Sequence, residues 1–162
     1  MTVLDEATLA EARSFNEALA EVLAEQPQVH TVPPERSRRA RREGRIVWPQ
    51  PVFVRQARDL RIRARSGAIR VRVLAPEEKA TGVYLHIHGG GWVLGCCDEQ
   101  DELLWALVEA TGLCAVSVDY RLAPEHPYPA GPDDCEDAAV WLLDHGLTEL
   151  DAPDRIAIGG ES

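Results

Sequence analysis

"GVYLHIH", residues 82–88, is a near-continuous apolar run of strand length, and "CAVSVDY", residues 114–120, is another. Strands covered on both faces read this way, because neither side of such a strand meets water. Between them, "DELLWALVEATG" (101–112) reads as a helix, with acids in its first turn and Gly112 at its C-terminal stop. Strand, helix, strand in that order predicts a parallel pair joined by a right-handed crossover, and the fold class is therefore α/β.

Towards the C-terminus, "PDDCEDAAVWLLDHG" predicts a helix over 132–146 and "RIAIGG" a third buried strand over 155–160. Towards the N-terminus the period changes to two. In "DLRIRARSGAIRVRVLAP" (59–76), Leu60, Ile62 and Ala64 alternate with Arg61, Arg63 and Arg65, and Ile69, Val71 and Val73 alternate with Arg70 and Arg72. Ser66–Gly67 is the expected turn of a hairpin with one buried face and one solvated arginine face. Further out, residues 4–26 predict an amphipathic helix, with Ala12, Phe15, Leu19, Val22 and Leu23 at helical spacing and Pro27 ending it. Residues 33–45 predict a shorter helix stopped at Gly44, and the proline-bearing 47–53 a connector. The chain thus divides into a helical segment, 1–50, and an α/β segment, 51–162.

A length of 162 residues allows a sizeable core. The net charge of -10 argues against nucleic acid or an anionic membrane as a bulk partner. The charge is uneven: thirteen of the seventeen Lys and Arg lie between Arg36 and Arg72 against only Glu43 and Asp59, so that window is +11 and the rest -21. A nucleic-acid patch is one reading of that window. Alternating arginines on the open face of a hairpin is the plainer one. No signal peptide and no membrane span are visible, and the expected location is cytoplasmic. Cys96, Cys97, Cys114 and Cys135 have neither metal spacing nor a disulfide framework, so free thiols are expected and no metal.

Three stretches carry chemistry. "HIHGGGW" (86–92) follows a predicted strand, and its three glycines let backbone N–H groups approach a ligand oxygen. That suits an oxyanion hole, although a flexible turn or a phosphate loop also fits; a phosphate loop wants a lysine or an immediate helix, and Trp92 and Val93 follow instead. "DYRLAPEHPYPA" (119–130) reads as a rigid loop in which His126 is a structural hydrogen-bond partner rather than a catalyst. The terminal "RIAIGGES" (155–162) is a strand running into Gly-x-Ser, the first half of a nucleophile elbow. Any such serine after a strand passes that test.

Together, HGGGW, then DYRLAPEHPYPA, then a strand into GGES resemble the hormone-sensitive lipase family of α/β hydrolases, the bacterial family IV carboxylesterases and their relatives, from about residue 33 onwards. The resemblance implies an α/β-hydrolase fold with a mostly parallel sheet, and makes residues 1–50 part of a helical cap. It makes Ser162 the nucleophile, with Gly90 and Gly91 as oxyanion donors, Gly89 shaping their loop, and a further donor from the residue after the serine. In this fold the triad runs Ser, Asp or Glu, His along the chain, so both partners are expected beyond Ser162 in a longer parent. None of His30, His86, His88, His126 and His145 fits that order. The implied activity is that of a serine carboxylesterase on small uncharged esters with short to medium acyl groups, without cofactor or metal, with Trp92 and Trp48 expected to line the substrate cavity. The alternative is a catalytically inactive, receptor-like member that binds a small molecule. A homodimer of the full-length parent is left open.

Overall fold

Alternation with period two makes a hairpin, and residues 57–74 form one: β1 (Ala57–Ala64) and β2 (Gly67–Leu74) pair antiparallel from Ala57 opposite Leu74 to Ala64 opposite Gly67. The turn is Arg65–Ser66, one residue earlier than expected, and Gly67 opens β2 at φ +117°. Ile62, Ile69, Val71 and Val73 are buried, as the alternation requires.

The computed structural model describes residues 5–45 and 50–162, so Trp48 lies outside the described residues. Residues 1–50 and 51–162 form two separate compact units. In the first, α1 (Glu6–Glu25) is capped by Asp5, whose carboxylate accepts the Thr8 N–H at 2.8 Å, and α2 (Pro34–Arg42) starts at a proline, where a missing N–H is no loss. Leu9, Phe15, Val22 and Leu23 of α1 are exposed.

In the second unit, β3 (Val83–Ile87), α3 (Asp101–Thr111), β4 (Cys114–Val118), α4 (Ala130–Trp141), the short α5 (Leu147–Glu149) and β5 (Ile156–Gly160) follow the hairpin. The five strands make one mixed sheet in the order β1-β2-β4-β3-β5. β2 and β4 are antiparallel, while β3 is parallel to both β4 and β5. β4 is buried throughout. On one face Val71, Val73, Val83, Leu85, Val116 and Val118 pack with Ala138, Trp141 and Leu142 from the α4 side. On the other, Leu74 and Ala115 pack with Leu104 and Val108 of α3. Helix α3 ends where the sequence says, with Gly112 at φ +71°.

Three expectations are corrected. Arg70 and Arg72 do not face open water: Arg72 grips the fully buried Asp101 through Nε and Nη2 at 3.0 and 2.5 Å, and Arg70 reaches Asp119 at 2.9 Å and Asp98 at 3.3 Å. The helix predicted over 132–146 begins at Ala130 and does not stop at Gly146, because a wide turn over Leu142–Gly146 carries it into α5. Gly146 serves packing there, since a β-carbon on it would lie 3.0 Å from the Trp141 ring. Strand β5 is not buried: it pairs with β3 alone among the described strands, and Ile158 is 62% exposed.

Candidate active site

Parallel neighbours release their C-terminal loops at the same end of a sheet, which is where open α/β sheets hold their ligands. Ile87, the last residue of β3, stands opposite Gly160, the last of β5. The glycine loop His88–Gly91 therefore emerges beside Glu161–Ser162. The approach is tight. A β-carbon on Gly89 would lie 2.9 Å from the Glu161 carbonyl oxygen and 3.0 Å from the Ser162 carbonyl carbon, and one on Gly160 would collide with the Ile87 carbonyl oxygen.

The loop itself is a closed turn. Gly90, at φ +122°, accepts the Val93 and Leu94 N–H groups on its carbonyl at 3.1 and 2.9 Å. A β-carbon there would strike the Leu94 carbonyl oxygen. The N–H of Gly89 is already engaged, donating to Glu161 Oε1 at 3.0 Å. Those of Gly90 and Gly91 meet no acceptor among the described residues. Two backbone donors of this loop are thus unengaged among the described residues, while the third is taken by Glu161.

Glu161 is a site residue that sequence reasoning missed. Besides Gly89, its carboxylate accepts from Gln100 Nε2 at 3.2 Å and lies 2.7 Å from His86 Nε2. His86 Nδ1 is 2.8 Å from Ser117 Oγ on β4, so both nitrogens of this buried ring are used. Burial works to raise the Glu161 pKa, but the Gly89 and His86 hydrogen bonds outweigh it and hold the pKa below the ordinary carboxylate value. The ionised acid accepts the His86 Nε2–H, and Nδ1 pairs with the Ser117 hydroxyl. The available signal was an acid between glycine and serine, plus a histidine inside an apolar strand.

His88 is also buried and bonded; Nδ1–H donates to the Gly89 carbonyl at 2.9 Å, and its ring stacks on Tyr120 at 4.1 Å. Burial pushes its pKa down. The Tyr120 hydroxyl donates to the His88 carbonyl at 2.6 Å, tying the 119–130 loop to the glycine loop. Arg121 grips the buried Asp134 of α4 through Nε and Nη2 at 2.8 and 2.9 Å. The His126 ring, expected as a hydrogen-bond partner, makes no such bond among the described residues. It lines a cavity of about 150 Å³ with Trp92, Arg121, Tyr128 and Pro132. Trp92 is held at φ +62° with its ring 4.9 Å from Tyr120, and it stays 45% exposed.

The one group of metal-ligand side chains among the described residues is Cys96, Cys97 and Asp119. A cation is already there. Arg70 Nη2 lies 3.0 Å from Cys96 Sγ, and its Nε donates to Asp119. All four cysteines are free thiols.

A family model described as the alpha/beta hydrolase fold matches residues 84–162. The carboxylic ester hydrolase LipN of Mycobacterium tuberculosis is 40% identical over 116 residues, which are 70% of this chain and 31% of that protein. An arylesterase of Saccharolobus solfataricus is 35% identical over 111 residues, 67% of this chain and 36% of that one. Among solved structures, a hyperthermophilic esterase from Pyrobaculum calidifontis superposes with a TM-score of 0.77 at 30% identity, over 91% of this chain and 48% of that one. The chain therefore spans about a third of the length of these curated relatives and about half of that solved esterase.

Proposed function

From the premise that this chain has the α/β-hydrolase fold in its hormone-sensitive lipase form, we propose that its protein is a serine carboxylesterase with Ser162 as nucleophile. One observation supports the reading: in the β3–β5 register Ile87 stands opposite Gly160, so the loop that carries the unengaged Gly90 and Gly91 N–H groups leaves the sheet at the same end as Ser162. Ser162 Oγ attacks the ester carbonyl, and the oxygen that becomes an oxyanion is received by Gly90 and Gly91. The alcohol leaves, and water releases the acyl group from the serine.

The general base is assigned to a histidine in the part of the relatives' length that this chain does not span, held by an acidic partner there. Both nitrogens of His86 are engaged, and His88 has one committed and a pKa pushed down by burial. The substrates are uncharged esters with short to medium acyl groups, and the exposed Trp92 ring is assigned to the substrate wall. Residues 1–50 are assigned to the cap.

The full-length protein should hydrolyse p-nitrophenyl butyrate. Ser162→Ala should fall to the residual acceleration of about 10³–10⁴ over water that binding and an oxyanion hole retain without a nucleophile. An unchanged rate in that variant rules the nucleophile out. A folded protein that binds such esters without turnover favours the receptor-like reading instead.

A further inference from the structure

We propose that Glu161 is a positioning residue that locks the nucleophile and the oxyanion donors into one rigid unit. The inference rests on the esterase reading and adds a role to a residue that reading leaves idle.

The geometry is a continuous chain of hydrogen bonds across the site. Ser117 Oγ on β4 holds His86 on β3 at 2.8 Å, and His86 holds the Glu161 carboxylate at 2.7 Å. The other carboxylate oxygen takes the Gly89 N–H at 3.0 Å and the Gln100 amide at 3.2 Å. Glu161 directly precedes Ser162, and Gly89 directly precedes the two free donors. A shift of the glycine loop relative to the serine must therefore break a charge-assisted bond or drag a buried histidine with it. The backbone contact of Gly89 against the Glu161–Ser162 peptide limits the approach, and the carboxylate limits the withdrawal. Such control matters because a misplacement of about 1 Å can lower turnover about 10²-fold.

Glu161 never touches the reacting atoms in this account. Its effect appears where the transition state differs from the ground state, in kcat rather than in KM. Replacement also breaks the order of donors: the amide of Glu161→Gln can still accept from Gly89, but it sets an N–H₂ against the His86 Nε2–H.

The test uses the full-length protein with Glu161→Ala, Glu161→Gln and Glu161→Asp beside Ser162→Ala. Each is measured for kcat and KM on p-nitrophenyl butyrate and for affinity to an alkyl boronic acid, which forms a tetrahedral adduct with a serine nucleophile. The expected result for Glu161→Ala is a kcat lower by about 10²-fold with KM within about threefold, and a parallel loss of boronate affinity. Glu161→Asp, which keeps the charge, should recover about a tenth or more of wild-type kcat. If Glu161→Ala does not fold, Glu161→Gln carries the same readings. A kcat within threefold of wild type, or a loss confined to KM, overturns the positioning role while the inactivity of Ser162→Ala leaves the esterase reading standing. An active Ser162→Ala removes that reading instead.

Discussion

At the residue scale, the glycine triplet is three different positions. Gly89 has no room for a side chain, because the Glu161–Ser162 peptide fills it. Gly90 combines φ +122° with a collision against the Leu94 carbonyl, so any side chain must displace the turn. Gly91, at φ +60°, faces open space. Alanine keeps the N–H at either place, so the two variants separate backbone position from donor chemistry. Gly90→Ala should lower kcat by about 10²–10³, the scale of losing one oxyanion donor, and should lower stability too. Gly91→Ala should cost only about 1–2 kcal/mol of left-handed strain and retain most of its turnover. Steady-state kinetics with thermal melts on both proteins checks this; equal activity in the two contradicts the assignment of the loop.

At the element scale, the hairpin is joined to the rest of the unit by charge. Arg72 is 13% exposed and Asp101 not at all, and Asp101 also accepts the Val54 N–H at 3.1 Å. Removing the guanidinium leaves a buried carboxylate without its counter-charge, so Arg72→Ala should destabilise by about 3–5 kcal/mol. Arg72→Met combined with Asp101→Leu should lose much less, since replacing both partners with apolar groups removes the penalty. Urea unfolding of wild type, Arg72→Ala and the double variant measures the difference, and an Arg72→Ala protein as stable as wild type contradicts it. This pair also shows what the sequence can carry. Period-two alternation placed Arg70 and Arg72 on the face opposite Val71 and Val73, correctly. It could not say what meets that face, because the partners Asp98, Asp101 and Asp119 stand 28 to 49 positions along the chain. The same holds for Glu161: its residue type was legible, but its role depends on the β3–β5 register. The end of α4 failed differently. Gly146 reads as a stop by local rules, and Trp141 and Leu142 packed against it override them.

At the scale of the whole molecule, two features set its behaviour in solution. Asp119 and Glu161 both have pKa values below the ordinary range; burial opposes ionisation in each, and hydrogen bonds, from Arg70 to Asp119 and from Gly89 and His86 to Glu161, win. A carboxylate with a depressed folded pKa contributes stability above its unfolded pKa, and that contribution is lost as pH falls through the folded value. Burial of His88 acts at higher pH, since its depressed pKa means that the unfolded chain takes up a proton first; the urea midpoint should therefore begin to fall below about pH 6.5 and fall more steeply below about pH 4, where unfolded carboxylates titrate. A midpoint that rises on acidification contradicts the assignment of these groups. The second feature is the open edge of β5, with Ile158 exposed, a template for pairing with another strand. The 162-residue chain made alone should self-associate with rising concentration, and Ile158→Lys should shift it towards monomer in sedimentation. A wild-type chain that stays monomeric at every concentration contradicts this.

Covalent labelling tests most directly whether Ser162 is the nucleophile. The full-length protein is treated with a fluorophosphonate and its peptides are mapped by mass spectrometry. We predict one label per chain, on the serine of the peptide containing Gly159-Gly160-Glu161-Ser162, with esterase activity lost in proportion to labelling. A label on another residue, or full labelling and activity in Ser162→Ala, would contradict it.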